Sequence, residues 1–99
     1  MSCLSWNCCG LGNPQIEDKV IVLVRIKDPK LVFLMETRVE KVILERIGHK
    51  IQFGNLFVVA RHNIKGDLAL FWPVDMNIDV QSFSKNHIDA IIDLRANNA

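Results

Sequence analysis

The feature that most constrains the fold is the unbroken apolar run Leu31–Met35, "LVFLM", which the polar residues Glu36 and Thr37 follow at once. A strand that is apolar at every position, rather than at alternate positions, is typical of a strand that is covered on both faces. The run therefore predicts a buried strand in a layered arrangement of helices and sheet.

The segments before this run predict a strand and then a helix. Ser2–Asn7 alternates apolar and polar side chains, as a half-buried strand does. Pro14–Lys27 places apolar residues at helical spacing, with the proline in the first turn, and Asp28–Lys30 contains the proline that ends the helix. A strand, a helix and a second strand in this order predict a right-handed unit with parallel strands.

The rest of the chain predicts one more helix and four strands. Apolar residues recur at helical spacing from Val39 to Ile47, with Gly48 as the expected stop. Phe57–Arg61 and Leu68–Trp72, joined by a turn that contains glycine, predict an antiparallel hairpin. Two further strands are expected at Asn77–Phe83, with a slip in its alternation, and at His87–Leu94. The sequence thus predicts an α/β fold, with a mixed sheet and two helices on one face.

Composition limits the class of protein. The 99 residues suit one domain, and 12 basic against 11 acidic side chains leave a net charge of +1, which is no electrostatic footprint for nucleic acid. A metal ion can nevertheless supply local positive charge to a nucleic-acid site. No secretory signal or membrane span is visible, so we expect an intracellular, non-membrane protein in which three cysteines stay free and act as small hydrophobic residues.

Polar residues at the ends of the first two strands are the strongest candidates for chemistry. Asn7 ends the first strand and Glu36 follows the second, and ligands of open α/β sheets bind beyond the carboxyl ends of strands. A carboxylate suits Mg²⁺, and an amide can orient a phosphate oxygen or a water without adding negative charge. The structural alternative is that Asn7 forms a turn and Glu36 caps the next helix.

Other polar residues give weaker signals. Cys8 and Cys9 are adjacent instead of spaced for zinc, and the three histidines show no ligand spacing. His87 and Asp89 lie on one face of the last strand, where a pair without a nucleophile is usually structural. A solvated surface is the expected place of the scattered cations Arg38, Lys41, Arg46, Lys50, Arg61 and Lys65.

Four segments carry a family resemblance. They are "LSWNCCGLGNP" (Leu4–Pro14), "LVFLMETRVEK" (Leu31–Lys41), "FVVARHNIKGDLALFW" (Phe57–Trp72) and "VQSFSKNHIDAIID" (Val80–Asp93). In this order and spacing they are similar to the opening of the endonuclease domain of plant LINE-type (non-LTR) retrotransposons. That domain belongs to the endonuclease/exonuclease/phosphatase superfamily, which has the DNase I-like fold.

The resemblance implies a fold and an activity. The fold is a four-layer α/β sandwich in which two sheets pack face to face, and residues 1–99 would be a single partial domain, its N-terminal portion. The activity is Mg²⁺-dependent hydrolysis of DNA phosphodiesters by in-line attack of water. Asn7 matches the asparagine of the "WN" motif, which contacts the phosphate network. Glu36 matches the glutamate of the "ET" motif, which binds the catalytic Mg²⁺.

The sequence departs from the family pattern. A complete domain is much longer, and its later motifs supply further catalytic Asp and Asn residues and the terminal Asp–His pair that activates water. Cys9 stands where arginine is common, and Asp67 where the second glycine of a turn is common. We therefore expect a truncated endonuclease of retrotransposon origin that is weak or inactive alone.

Two other interpretations stay open. The chain is a non-catalytic module that binds itself or another protein through an exposed sheet edge, or it is an expressed relic without a selected role. A nuclear location follows only from the DNA substrate of the family.

Overall fold

The computed structural model describes residues 3–61, 65–83 and 88–93, which form two helices and six strands. The predicted α/β class is confirmed. In chain order the elements are β1 (Cys3–Asn7), α1 (Pro14–Lys27), β2 (Leu31–Met35), α2 (Lys41–Ile51), β3 (Asn55–Arg61), β4 (Lys65–Trp72), β5 (Asn77–Phe83) and β6 (Ile88–Asp93).

The strands divide between two sheets. A four-stranded sheet has the order β1-β2-β4-β3, in which β1 and β2 are parallel and β4 is antiparallel to both of its neighbours. This sheet is mixed, as the sequence predicts. The strands β5 and β6 form a separate antiparallel pair. The register of that pair shifts between Val80 and Ser82, which agrees with the predicted slip in the alternation of β5.

Both helices pack on one face of the larger sheet. Val20 of α1 and Leu44 of α2 are fully buried in the same cluster as Leu34 of β2 and Phe71 of β4. The burial of these apolar side chains is the main term that holds this helical layer to the sheet. The expectation of two helices on one face is confirmed.

The second sheet covers the opposite face. Leu31 of β2, Leu70 of β4 and Met76 form a second buried cluster, against which Ile78 of β5 and Ile88 of β6 pack. The strand β2 is therefore covered on both faces, which is the physical reason for its unbroken apolar run. The described residues form three layers, namely helices, a mixed sheet and a two-stranded sheet.

The first helix begins and ends where its local signals predict. The side chain of Asn13 accepts a hydrogen bond of 2.9 Å from the amide of Gln15, Pro14 takes the first helical position, and Asp28 ends the helix in a left-handed conformation. The asparagine cap satisfies one of the N–H donors that a helix start leaves open, and the proline removes another because it has no N–H.

The predicted stop of the second helix at Gly48 is wrong. The helix continues to Ile51, and Gln52 ends it in the left-handed region. Gly48 is instead a close-packing position, because a Cβ there would lie 3.2 Å from the carbonyl oxygen of Phe53 and 3.5 Å from the ring of Phe71. Burial of Ile51 stabilises the extra turn, so tertiary packing overrides the glycine.

The remaining strands occur where the sequence predicts them. β3 and β4 form the expected antiparallel hairpin, each starting earlier than predicted. Residues 62–64 of its turn lie outside the described residues. The last strand is described as Ile88–Asp93, so His87 and Leu94 at the predicted bounds also lie outside them.

Candidate functional site

The parallel pairing of β1 and β2 brings their carboxyl ends together. Asn7 lies opposite Met35, so Glu36 is the first residue beyond the pair. The backbone ladder continues past the strands, since the amide of Cys8 donates to the Met35 carbonyl at 2.9 Å and the amide of Gly10 donates to the Glu36 carbonyl at 2.8 Å. The two loops that follow the strands are therefore tied to each other.

The side chains of Asn7 and Glu36 are in direct contact. The amide Nδ2 of Asn7 donates a hydrogen bond to Oε2 of Glu36, across 29 positions of sequence. The guanidinium of Arg38 donates to Oε1 of Glu36 at 2.8 Å and forms an ion pair with it. The predicted proximity of Asn7 and Glu36 is confirmed. The structure adds Arg38, which lies on the surface as predicted but is paired with Glu36.

The orientation of the Asn7 amide is set on its other side by Cys9. Oδ1 of Asn7 accepts hydrogen bonds from the backbone amide of Cys9 at 3.1 Å and from its thiol at 3.3 Å. This leaves Nδ2 as the group that faces Glu36, because only that assignment satisfies all the partners. Asn7 thus forms the predicted turn and the contact with Glu36 at the same time.

The structural alternative for Glu36 is wrong. The residue that precedes α2 is Glu40, which makes no side-chain cap, and Glu36 lies four positions before it. The carboxylate of Glu36 instead receives donors from Asn7 and Arg38. A role as a helix cap therefore does not explain a glutamate at this position.

The backbone of both loops is strained. Four residues in them have positive φ angles, namely Cys9 at 50°, Gly10 at 101°, Glu36 at 51° and Arg38 at 53°. A non-glycine residue in this region costs about 1 to 2 kcal/mol. In the part of the chain that the structure describes, the other two positive angles belong to the caps that end the helices, where this conformation is common. Strain that is concentrated in two facing loops is typical of functional sites.

The side chains at the strand ends include one ligand of the kind that Mg²⁺ uses. In the described ranges 3–61, 65–83 and 88–93, no group of three or more His, Cys, Asp or Glu side chains lies close enough to hold a metal. Mg²⁺, however, commonly uses one or two carboxylates and completes its shell with water and substrate phosphate. Glu36, whose side chain is 38% exposed, supplies one such ligand, and the neighbouring Asn7 supplies a neutral polar group. The residues fit a site that a bound phosphate would complete.

The three cysteines differ from the expectation that all act as small hydrophobic residues. Cys8 is buried, and Cys3 and Cys9 are exposed. Burial, with a smaller contribution from Cys9, raises the pKa of the Cys8 thiol to about 12, so this group stays protonated at neutral pH and cannot act as a nucleophile. The thiol of Cys9 hydrogen-bonds Asn7 and brings no positive charge to the loop.

Other polar residues make contacts that the sequence did not show. Arg46 and Lys50 lie on the surface, as predicted, and both pair with the buried Glu17 of α1. Asp67 is buried, and its carbonyl accepts a hydrogen bond of 3.3 Å from the amide of Thr37 in the site loop. The predicted pairing of His87 with Asp89 lies outside the described part of the structure, which includes neither His87 nor the side chain of Asp89.

A cavity of about 630 Å³ lies away from this site, between the exposed side of α2 and the start of β3. Lys41, His49, Phe53 and Val74 are among its lining residues, and neither Asn7 nor Glu36 is. We place the candidate site at the strand ends because the contact of Asn7 with Glu36 and the positive φ angles of both loops occur there. In the described residues, no helix has the length and apolar character needed to cross a membrane.

The sequence matches no protein-family model, and no curated protein matches it. The candidate site therefore rests on its geometry, which consists of adjacent strand ends, a carboxylate in contact with an amide, and strained loops.

Proposed function

We propose that the chain carries part of a Mg²⁺-dependent phosphodiester hydrolase site that acts on DNA, as the N-terminal portion of a DNase I-like domain of retrotransposon origin. The observation that supports this most is the contact between Asn7 and Glu36 at the carboxyl ends of two parallel strands. A helical layer on one face of a mixed sheet and a second sheet on the other agree with a portion of such a sandwich.

Each residue has a distinct role in this proposal. Glu36 would hold the metal, which lowers the pKa of a bound water and stabilises charge on the phosphorus centre. Asn7 orients the Glu36 carboxylate and offers its amide to a phosphate oxygen. Among the described side-chain contacts of these two residues, the other partners are Cys9 and Arg38, and neither is a histidine or a carboxylate that could serve as general base. We therefore expect weak hydrolysis by the chain alone.

The test is nicking of supercoiled plasmid by the purified protein, with Mg²⁺ and with a chelator. The variant Glu36→Gln keeps the shape of the side chain and removes the metal ligand, so we expect a loss of about 100-fold, as for one removed group that stabilises the transition state. Glu45→Gln is the matched control, because Glu45 is an exposed glutamate of α2 that lines the separate cavity.

The outcomes separate clearly. Nicking that needs Mg²⁺, falls in Glu36→Gln and persists in Glu45→Gln supports the proposal. Nicking that survives Glu36→Gln would place the activity elsewhere. No nicking by the unaltered protein would overturn hydrolysis by this chain alone.

A second candidate function is self-association through β1. Among the described strands, β1 is at the edge of the larger sheet. Its sequence, "CLSWN", contains no charged residue and no proline, which are the usual devices that prevent one sheet edge from pairing with another. Antiparallel pairing of two copies about Ser5 would place Leu4 of each copy opposite Trp6 of the other, in a symmetric interface.

Sedimentation of the protein over a range of concentrations tests this second function. Ser5→Lys puts a charge on the exposed face of the edge strand, and we expect it to shift a dimer towards monomer. Gln15→Lys adds the same charge at an exposed position of α1 and serves as the control. A protein that is monomeric throughout, or equal dimerisation of both variants, would refute pairing through β1.

A further inference from the structure

We propose that Arg38 is an internal cation that occupies the Glu36 carboxylate until a divalent metal replaces it. This inference rests on the proposed function and adds a competing group to that site. Both carboxylate oxygens of Glu36 already have donors, since Arg38 Nη2 lies 2.8 Å from Oε1 and Asn7 Nδ2 contacts Oε2. A metal that uses the Oε1 position must displace the guanidinium.

The backbone conformation of the loop holds Glu36 and Arg38 in position for this contact. Glu36 and Arg38 have nearly equal φ angles of 51° and 53°, and Thr37 between them is fully buried. The backbone of Thr37 is held on two sides, by a hydrogen bond of 2.8 Å from the amide of Leu11 and one of 3.3 Å to the carbonyl of Asp67. Because the middle residue is anchored, the residues before and after it both keep their place at the surface.

The free energy of the ion pair between Arg38 and Glu36 is small enough for a divalent ion to replace Arg38. The side chain of Arg38 is 62% exposed, so water can hydrate the guanidinium once it leaves Glu36. An exposed ion pair contributes little net free energy, and a divalent ion interacts with a carboxylate about twice as strongly as a monovalent cation at equal distance. Arg38 therefore weakens metal binding at Glu36 without preventing it.

Displacement has a consequence for anion binding. A released guanidinium beside the metal presents N–H donors that match two phosphate oxygens. In the ion pair, the Glu36 carboxylate masks these donors. Metal binding would thus expose a phosphate-binding group at the same loop. By linkage, a bound phosphate favours metal binding to the same extent.

The test is a Mg²⁺ titration of ¹⁵N-labelled protein, followed by nuclear magnetic resonance. The signals of the Asn7 side-chain amide and of the Arg38 Nε–H group should move with one common midpoint. Arg38→Met keeps much of the stem and removes the charge, so we expect Mg²⁺ affinity to rise about 3- to 10-fold. Arg38→Gln provides a second uncharged variant, and the amide spectrum reports that each variant is folded.

Two controls complete the design. Arg25→Met removes the same charge from an exposed position of α1. Arg25 lies about 16 Å along the helix from its first residue, Pro14, at a rise of about 1.5 Å per residue. This variant should leave the Mg²⁺ affinity unchanged. Glu36→Gln should abolish the response of the Asn7 amide.

The inference and the proposed function fail in different ways. A response that Glu36→Gln abolishes but that both Arg38 variants leave unchanged would keep the metal site and refute the role of Arg38. No response of the Asn7 amide in the unaltered protein and in the Arg38 variants would overturn both.

Discussion

The ion pairs between the two helices allow a quantitative test of where charge is buried. Glu17 of α1 is only 7% exposed, and its carboxylate accepts from Arg46 at 3.0 Å and from Lys50 at 3.3 Å. The side chains of these two cations are about half exposed, at 52% and 48%. Folding therefore removes water from the anion but leaves both cations hydrated.

This asymmetry predicts unequal costs for removing the two sides of the cluster. The double variant Arg46→Met/Lys50→Met leaves a buried carboxylate without a counter-charge, and we expect the free energy of unfolding to fall by about 2 to 3 kcal/mol, below the upper range for fully buried pairs. Glu17→Gln leaves two cations that water can hydrate, so the expected loss is about 0.5 to 1.5 kcal/mol. The triple variant should resemble Glu17→Gln, because it contains no unpaired buried charge.

Urea unfolding at neutral pH measures these differences, and thermal unfolding checks them, since about 1 kcal/mol shifts Tm by about 4 to 8 °C in a domain of this size. Arg25→Met/Lys30→Met removes two exposed cations and is the control for net charge. A Glu17→Gln cost equal to or above that of the double variant would refute the reasoning. A triple variant as unstable as the double variant would refute it as well.

Two further predictions concern packing and the buried thiol. Gly54→Ala should lower the free energy of unfolding by about 1 kcal/mol, because its Cβ would clash with Cγ1 of Val74. Gly54→Ala/Val74→Ala should recover most of the loss in thermal unfolding, and equal Tm values for Gly54→Ala and the unaltered protein would contradict this. Iodoacetamide should modify the exposed Cys9 in the folded protein and the buried Cys8 only after unfolding, as peptide mass mapping would show. Since the folded pKa of Cys8 is raised from 9.0 to about 12, the stability linked to its thiol is present below pH 9 and is lost as pH rises towards 12, so urea midpoints above pH 9 should fall more in the unaltered protein than in Cys8→Ala.

Local signals were sufficient wherever an element depends on its own residues. The first helix has the bounds Pro14–Lys27 that its proline and the following "DPK" segment predict. The second strand also has its predicted bounds, Leu31–Met35. Both elements carry strong start and stop residues within one or two positions of their ends, and such residues act through the backbone of their own segment.

Local signals failed where distant packing decides. Gly48 predicted a helix end, but the burial of Ile51 and the approach of Phe71 make another turn favourable. The environment of each cysteine was equally invisible in the sequence. Adjacent Cys8 and Cys9 differ in burial because one faces the core below the loop and the other lies at the surface.

The candidate site also has contacts that the sequence predicts and contacts that it does not. The proximity of Asn7 and Glu36 was predictable, because parallel neighbouring strands end at one edge of a sheet. The contact of Arg38 with Glu36 was not, since it depends on two residues in the left-handed region that ordinary side chains disfavour. The pairing of Glu17 with Arg46, 29 positions apart, likewise requires knowledge of how the two helices meet.

The sequence by itself determined the α/β class, the element order, the double burial of β2 and the two polar residues at the strand ends. These follow from periodicity, capping and turn chemistry, which act over a few residues. Only the tertiary structure decided which carboxylate is buried, which cysteine is protonated at high pH and which cation occupies Glu36. Solvation and charge interactions depend on distances between segments far apart in the chain, and those distances exist only once the layers have packed.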